Sequence, residues 1–127
     1  MKMHTILLVE DHELSRDALS RRLHRRGYRV ALAEDGQQGI AMARSERPDL
    51  ILMDLGLPKI DGWEATRLLK SDAATRHIPI IVLGAVAWTN DREMAISAGS
   101  DEFDCKPVKL DSLLAKIESL LMTSTLQ

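Results

Sequence analysis

The chain has 127 residues, of which 45% are hydrophobic and 28% charged, and a formal net charge of −2. That length suits one domain, and that balance excludes both a disordered chain and a strongly basic nucleic-acid binder. A single cysteine, Cys105, excludes an internal disulfide framework and fits a reducing compartment.

Met1 to Thr5 carries no signal-peptide pattern, because the short apolar run Ile6–Val9 ends at once in Glu10 and Asp11. No stretch approaches the roughly 20 apolar residues of a membrane helix. The expectation is a soluble cytoplasmic domain over residues 1–122, with a frayed tail over 123–127.

In chain order, short apolar runs alternate with segments of helical period. The runs Thr5–Val9, Tyr28–Leu32, Leu50–Met53 and Pro79–Leu83, with a weaker one at Glu102–Asp104, have strand length and β-branched content. Unbroken apolar runs of this kind suit a sheet covered on both faces. Asp35, Asp61 and Asn90 each stand three residues before Gln or Glu, which marks helix starts through the capping box. Gly27 and Gly99 fall where helices should end. The last segment carries Leu110, Leu113, Leu114, Ile117, Leu120 and Leu121 on one helical face. Five βα units in series imply an α/β fold with a parallel sheet.

Ligands of such sheets bind beyond the carboxyl ends of the strands. The first strand runs into Glu10-Asp11, the third into Asp54, the fourth into Gly84, and the fifth into Lys106-Pro107. Each signal has a plainer reading by itself: a solvated strand end, a helix cap, a turn. Together they place three carboxylates and a lysine on one rim. Crowded carboxylates repel unless a cation neutralises them, and an all-oxygen set suits Mg2+. A carboxylate held there can attack phosphorus to give an acyl phosphate.

With these motifs the sequence resembles the receiver domain of two-component response regulators. The matching pieces are Leu7-Leu8-Val9-Glu10-Asp11, Asp49–Asp54, Leu57-Pro58-Lys59-Ile60-Asp61-Gly62, Ala98-Gly99-Ser100-Asp101 and Lys106-Pro107. The resemblance implies a flavodoxin-like doubly wound five-stranded sheet of order 2-1-3-4-5. It implies Asp54 as phosphoacceptor and a Mg2+ site of Asp11, Asp54 and the Gly56 carbonyl, with Glu10 acting through water. Lys106 would pair with the phosphoryl group, and the Lys106-Pro107 bond would be cis. The phosphoryl donor would be a histidine kinase or a histidine phosphotransfer protein. His4, His12, His24 and His77 would be surface residues, and the domain would turn over no substrate beyond its own phosphorylation and dephosphorylation. A monomer or weak dimer is expected, without direct nucleic-acid contact.

One position departs from the pattern. Receivers usually carry Thr or Ser at the end of the fourth strand, where this chain has Gly84. Without that hydroxyl, one hydrogen bond to the phosphoryl group is lost, worth roughly 1.5–3 kcal/mol. Phe103 stands at the family's switch-aromatic position and should favour burial. Gly56 and Val86 match positions that tune dephosphorylation. Arg21, Arg22, Arg25 and Arg26 form either a partner surface or a solvated helix face, Trp88 either an interface anchor or local packing, and Trp63 fills core or boundary space. Two readings other than a phosphorylation-driven switch remain: a phosphorylation-insensitive interaction module motivated by Gly84, and a small Mg2+-dependent phosphatase. The phosphatase reading lacks both the Asp-x-Asp motif and residues for a substrate cap.

Overall fold

The structure, a computed structural model, describes residues 3–84 and 91–125. Val86, Trp88 and the Asn90 cap lie outside the described residues. Five strands, β1 (Thr5–Val9), β2 (Arg29–Ala33), β3 (Leu50–Asp54), β4 (Ile80–Gly84) and β5 (Glu102–Cys105), alternate with five helices. These are α1 (Glu13–Arg25), α2 (Gly36–Glu46), α3 (Gly62–Ser71), α4 (Asp91–Ser97) and α5 (Leu110–Thr125). The strands are parallel in the order β2-β1-β3-β4-β5, as expected.

Alternation along the buried strands divides the core in two. Leu7, Val9, Ile51, Met53, Val82 and Phe103 point to the face covered by α2, α3 and α4. Ile6, Leu8, Leu50, Leu52 and Leu83 point to the other, where they meet Leu19 and Leu23 of α1 and Leu113, Leu114 and Ile117 of α5. Both faces are therefore closed, which is why these strands read as continuous apolar runs.

The helix signals act as their chemistry requires. Asp35 accepts from the Gln38 amide at 2.7 Å, and Asp61 from the Glu64 amide at 2.9 Å. Gly27 and Gly99 take positive φ of 92° and 103° at helix ends, a region glycine enters without steric cost. The N-cap of α1 is His12, whose Nδ1 faces the Ser15 amide at 3.4 Å.

Small shifts from the expected boundaries have local causes. β2 starts one residue late because the Tyr28 amide still closes α1 on the Leu23 carbonyl, while the Arg29 amide donates to His4. β4 starts after Pro79, which has no amide hydrogen to donate. The last helix runs on through Thr125, three residues into the stretch expected as tail. Among the described residues, no helix is long and apolar enough to cross a membrane.

Candidate phosphoacceptor site

The winding reverses between β1 and β3, and the crevice there opens at the carboxyl ends of the strands. Sheet register brings the expected residues to it. Val9 pairs with Met53, so Glu10 and Asp11 emerge beside Asp54. Asp54 pairs with Leu83 and Gly84 with Cys105, which sets Lys106 at the same rim.

Oxygen atoms of Glu10, Asp11 and Asp54 all lie within 4.8 Å of one another. Glu10 and Asp54 are each about 5% exposed, whereas Asp11 is open to solvent. Lys106 Nζ sits 2.5 Å from Asp54 Oδ1 and 3.1 Å from Glu10 Oε1. Glu10 Oε2 accepts from the His12 amide at 3.2 Å. Burial, reinforced by the nearby Asp54 charge, holds the Glu10 carboxyl above its ordinary range despite the His12 amide and Lys106. Partial burial of Lys106 acts to lower its pKa, but its bonds to Asp54 and then Glu10 outweigh that and raise it. Three carboxylates against one lysine leave the pocket negative. The all-oxygen donor set and the open Asp11 fit a hard divalent cation loaded from solvent.

Glycines let Asp54 be approached closely. A Cβ built on Gly56 would lie 3.9 Å from Asp54 Oδ2, so this residue does flank the carboxylate. At Gly62 a Cβ would overlap the Asp54 carbonyl and lie 2.8 Å from Leu55 Cα. Only glycine allows α3 to start against the end of β3 in this way. The Lys106-Pro107 bond is cis.

The space beside Gly84 is filled. A Cβ there would meet Leu55 Cδ1 at 2.8 Å and Phe103 Cε2 and Cζ at 2.8 and 2.9 Å. Phe103 is 2% exposed and packs in the core on the α4 side. Its ring therefore already occupies the volume that a larger residue at 84 would need.

The side chains of His12, His24 and His77 are exposed and that of His4 is half-buried; His12 meets the site through its backbone amide. Arg21, Arg22, Arg25 and Arg26 are exposed, with Arg21 paired to Asp17 on its own helix. Trp63 is half-buried.

Residues 6–118 match the family model for the response regulator receiver domain. The chain belongs to the response-regulator receiver family. It is 38% identical to response regulator MprA of Mycolicibacterium vanbaalenii over 94% of its own length, but spans only 51% of that protein. PilH of Pseudomonas aeruginosa matches at 36% identity, with 94% of this chain and 98% of PilH aligned. The receiver domain of sensor histidine kinase PA1611 from Pseudomonas aeruginosa superposes with a TM-score of 0.87 at 38% identity, over 94% and 98% of the two chains. That structure holds a magnesium ion coordinated in its active-site cleft. Receiver domains in general take phosphoryl groups from histidine kinases and bind Mg2+ at an acidic site.

Two residues near this receiver's pocket carried no functional reading from sequence. Leu55 shares with Phe103 the space beside Gly84. Arg16 donates through Nη1 to the Glu10 carbonyl at 3.0 Å, on the loop that bears two of the carboxylates. A cation five residues beyond Asp11, near the start of a helix returning over that loop, was the available signal.

Proposed function

We propose that this receiver takes a phosphoryl group on Asp54 from a phosphohistidine partner in a Mg2+-dependent reaction, and passes the signal on by protein contact. The observation that carries the reading is the pairing of Lys106 with Asp54 Oδ1 at 2.5 Å inside the three-carboxylate cluster. Oδ1 is held by the lysine, which leaves Oδ2, the oxygen facing Gly56, to attack phosphorus. The phosphorus–nitrogen bond breaks, and its electron pair leaves with the imidazole. Lys106 then transfers its pairing to the phosphoryl oxygens, and positioning with charge compensation supplies most of the catalysis. Mg2+ held by Asp11, Asp54 and the Gly56 carbonyl, with Glu10 acting through water, would neutralise the phosphoryl oxygens.

A groove of about 270 Å³ beside the pocket supports docking of a helical phosphotransfer partner. Ala18, Leu19 and Arg22 of α1 line it together with Glu10, Lys106, Pro107 and Val108. Leu14, one turn before Ala18 on the same helix, is 75% exposed. A cytoplasmic setting belongs to this reading, as does the absence of any substrate beyond the domain's own aspartyl phosphate.

Acetyl phosphate with Mg2+ should add one phosphoryl group, detected by intact mass after acid quench, and Asp54→Asn should abolish it. An adduct that survives Asp54→Asn, or no adduct on the wild-type protein, overturns the proposal.

A second reading rests on the filled space at Gly84. If Phe103 stays buried in every state, the pocket accepts phosphate while the α4 surface does not respond. Amide spectra with and without Mg2+ and beryllofluoride separate the two readings. Shifts reaching Asp91–Ser97 and Phe103 support the switch, and shifts confined to the pocket support the phosphorylation-insensitive module.

A further inference from the structure

The β1–α1 loop must present two adjacent carboxylates, Glu10 and Asp11, toward Asp54 although all three repel one another. A side chain of the following helix bonds to the backbone of that loop. Arg16, in the second turn of α1, reaches back with Nη1 to the Glu10 carbonyl at 3.0 Å and the Asp11 carbonyl at 3.5 Å. Its Nη2 lies 3.4 Å from Glu34 Oε1, on the segment joining β2 to α2. The Arg16 side chain is only 12% exposed, whereas that of Glu34 is 68% exposed.

We propose that Arg16 is a positioning residue for the cation pocket: its guanidinium fixes the Glu10 and Asp11 backbone so that both carboxylates face Asp54. The inference rests on the Mg2+ reading above and adds to it a residue that is neither one of the three carboxylates nor the lysine of the pocket. A planar guanidinium holds its donors in a fixed fork, so Nη1 serves the two carbonyls while Nη2 faces the carboxylate. The three donors of an ammonium converge on one nitrogen and fix no such orientation. Partners that orient metal ligands in this way typically cost 10–100-fold in metal affinity when removed. The Glu34 end is solvent-exposed and adds little.

Position and charge make opposite claims, which gives the test its power. Arg16 carries a positive charge near the site, so if charge were its only role, removing it would tighten cation binding. If it positions the loop, removing it weakens binding.

Titration calorimetry with Mg2+ alone on wild-type protein, Arg16→Met, Arg16→Lys and Glu34→Gln decides between these. Arg16→Met and Arg16→Lys should each raise the Mg2+ dissociation constant about 10-fold or more, and Glu34→Gln should change it less than about 2-fold. Thermal midpoints without Mg2+ confirm that each variant is folded, and Arg16→Lys carries the test if Arg16→Met is not. Hydrogen exchange supplies a second readout: the His12 amide, which donates to Glu10, should exchange faster in both variants while the β1 amides do not. Unchanged or tighter Mg2+ binding in Arg16→Met, or wild-type binding in Arg16→Lys, overturns the positioning role while leaving the Mg2+ reading intact. No Mg2+ binding by the wild-type protein overturns both.

Discussion

Restoring a side chain at the end of β4 by Gly84→Thr asks whether the missing hydroxyl is a vacancy or a compensated exchange. Carbon atoms in van der Waals contact sit about 3.5–4.0 Å apart, and a Cβ at 84 would stand 2.8–2.9 Å from two atoms of the Phe103 ring. The Leu55 methyl, also at 2.8 Å, is the tip of a flexible side chain and yields cheaply. The ring is rigid and 2% exposed, so it must move as a body into packed core. Overpacking of this kind costs about 1–3 kcal/mol, against up to about 1 kcal/mol regained from replacing glycine in a strand. Gly84→Thr should therefore destabilise the protein by roughly 1–2 kcal/mol in urea denaturation. Phe103→Ala alone should cost about 3–5 kcal/mol through its cavity. In the double variant the threonine enters the space left by the ring, so the combined loss should fall short of the sum by at least about 1 kcal/mol. Gly84→Thr as stable as the wild-type protein, or two losses that add to within about 0.5 kcal/mol, would refute the account of Gly84 as the seat of Phe103.

Other consequences follow from the same pocket. Mg2+ at 100 times its dissociation constant should stabilise the protein by about 2.7 kcal/mol, seen as a thermal shift that a chelator reverses and Asp11→Asn diminishes. Glu10→Gln should stabilise the cation-free protein at neutral pH. Its carboxyl is raised above an ordinary 4.5 in the fold, so wild-type stability falls as pH rises through that window, and the difference should vanish below it. Lys106→Met should destabilise at neutral pH. The ammonium contributes fully below its ordinary 10.5 and is lost only as pH rises through the higher folded value, so the deficit should close only in strong alkali. Gly62→Ala should cost at least about 2 kcal/mol, since its Cβ would press on the Asp54 and Leu55 backbone rather than on a side chain that can yield. Urea midpoints measure these last three changes.

What the sequence made legible was whatever depends on period and on order along the chain. Strands buried on both faces announce themselves as apolar runs, and Asp35 and Asp61 announce helices through side chains that bond three residues away. The acidic rim was legible for a related reason. In a parallel sheet every strand end lies on one side, so Glu10, Asp11, Asp54 and Lys106 meet once the strands are identified. What was not legible depends on how far side chains reach across the sheet. Arg16 donates to the Glu10 and Asp11 carbonyls, and any residue provides a carbonyl, so those two partners left no mark in the sequence.

Gly84 shows the difference most clearly. Read along the chain it is a deletion: a hydroxyl is gone, and a hydrogen bond to the phosphoryl group goes with it. In the fold it is half of a pair, because the adjacent strand places Phe103 where the larger residue would stand. Packing at core density leaves no room for both a ring and a β-branched side chain, so each residue makes the other permissible. The acid pocket and its lysine need only the strand ends, whereas any side chain at 84 needs the space beside β4 that Phe103 fills. Under the proposed function, accepting a phosphoryl group and reporting it to the α4 surface would be separable steps, and the Gly84–Phe103 contact is where the two readings of this domain divide.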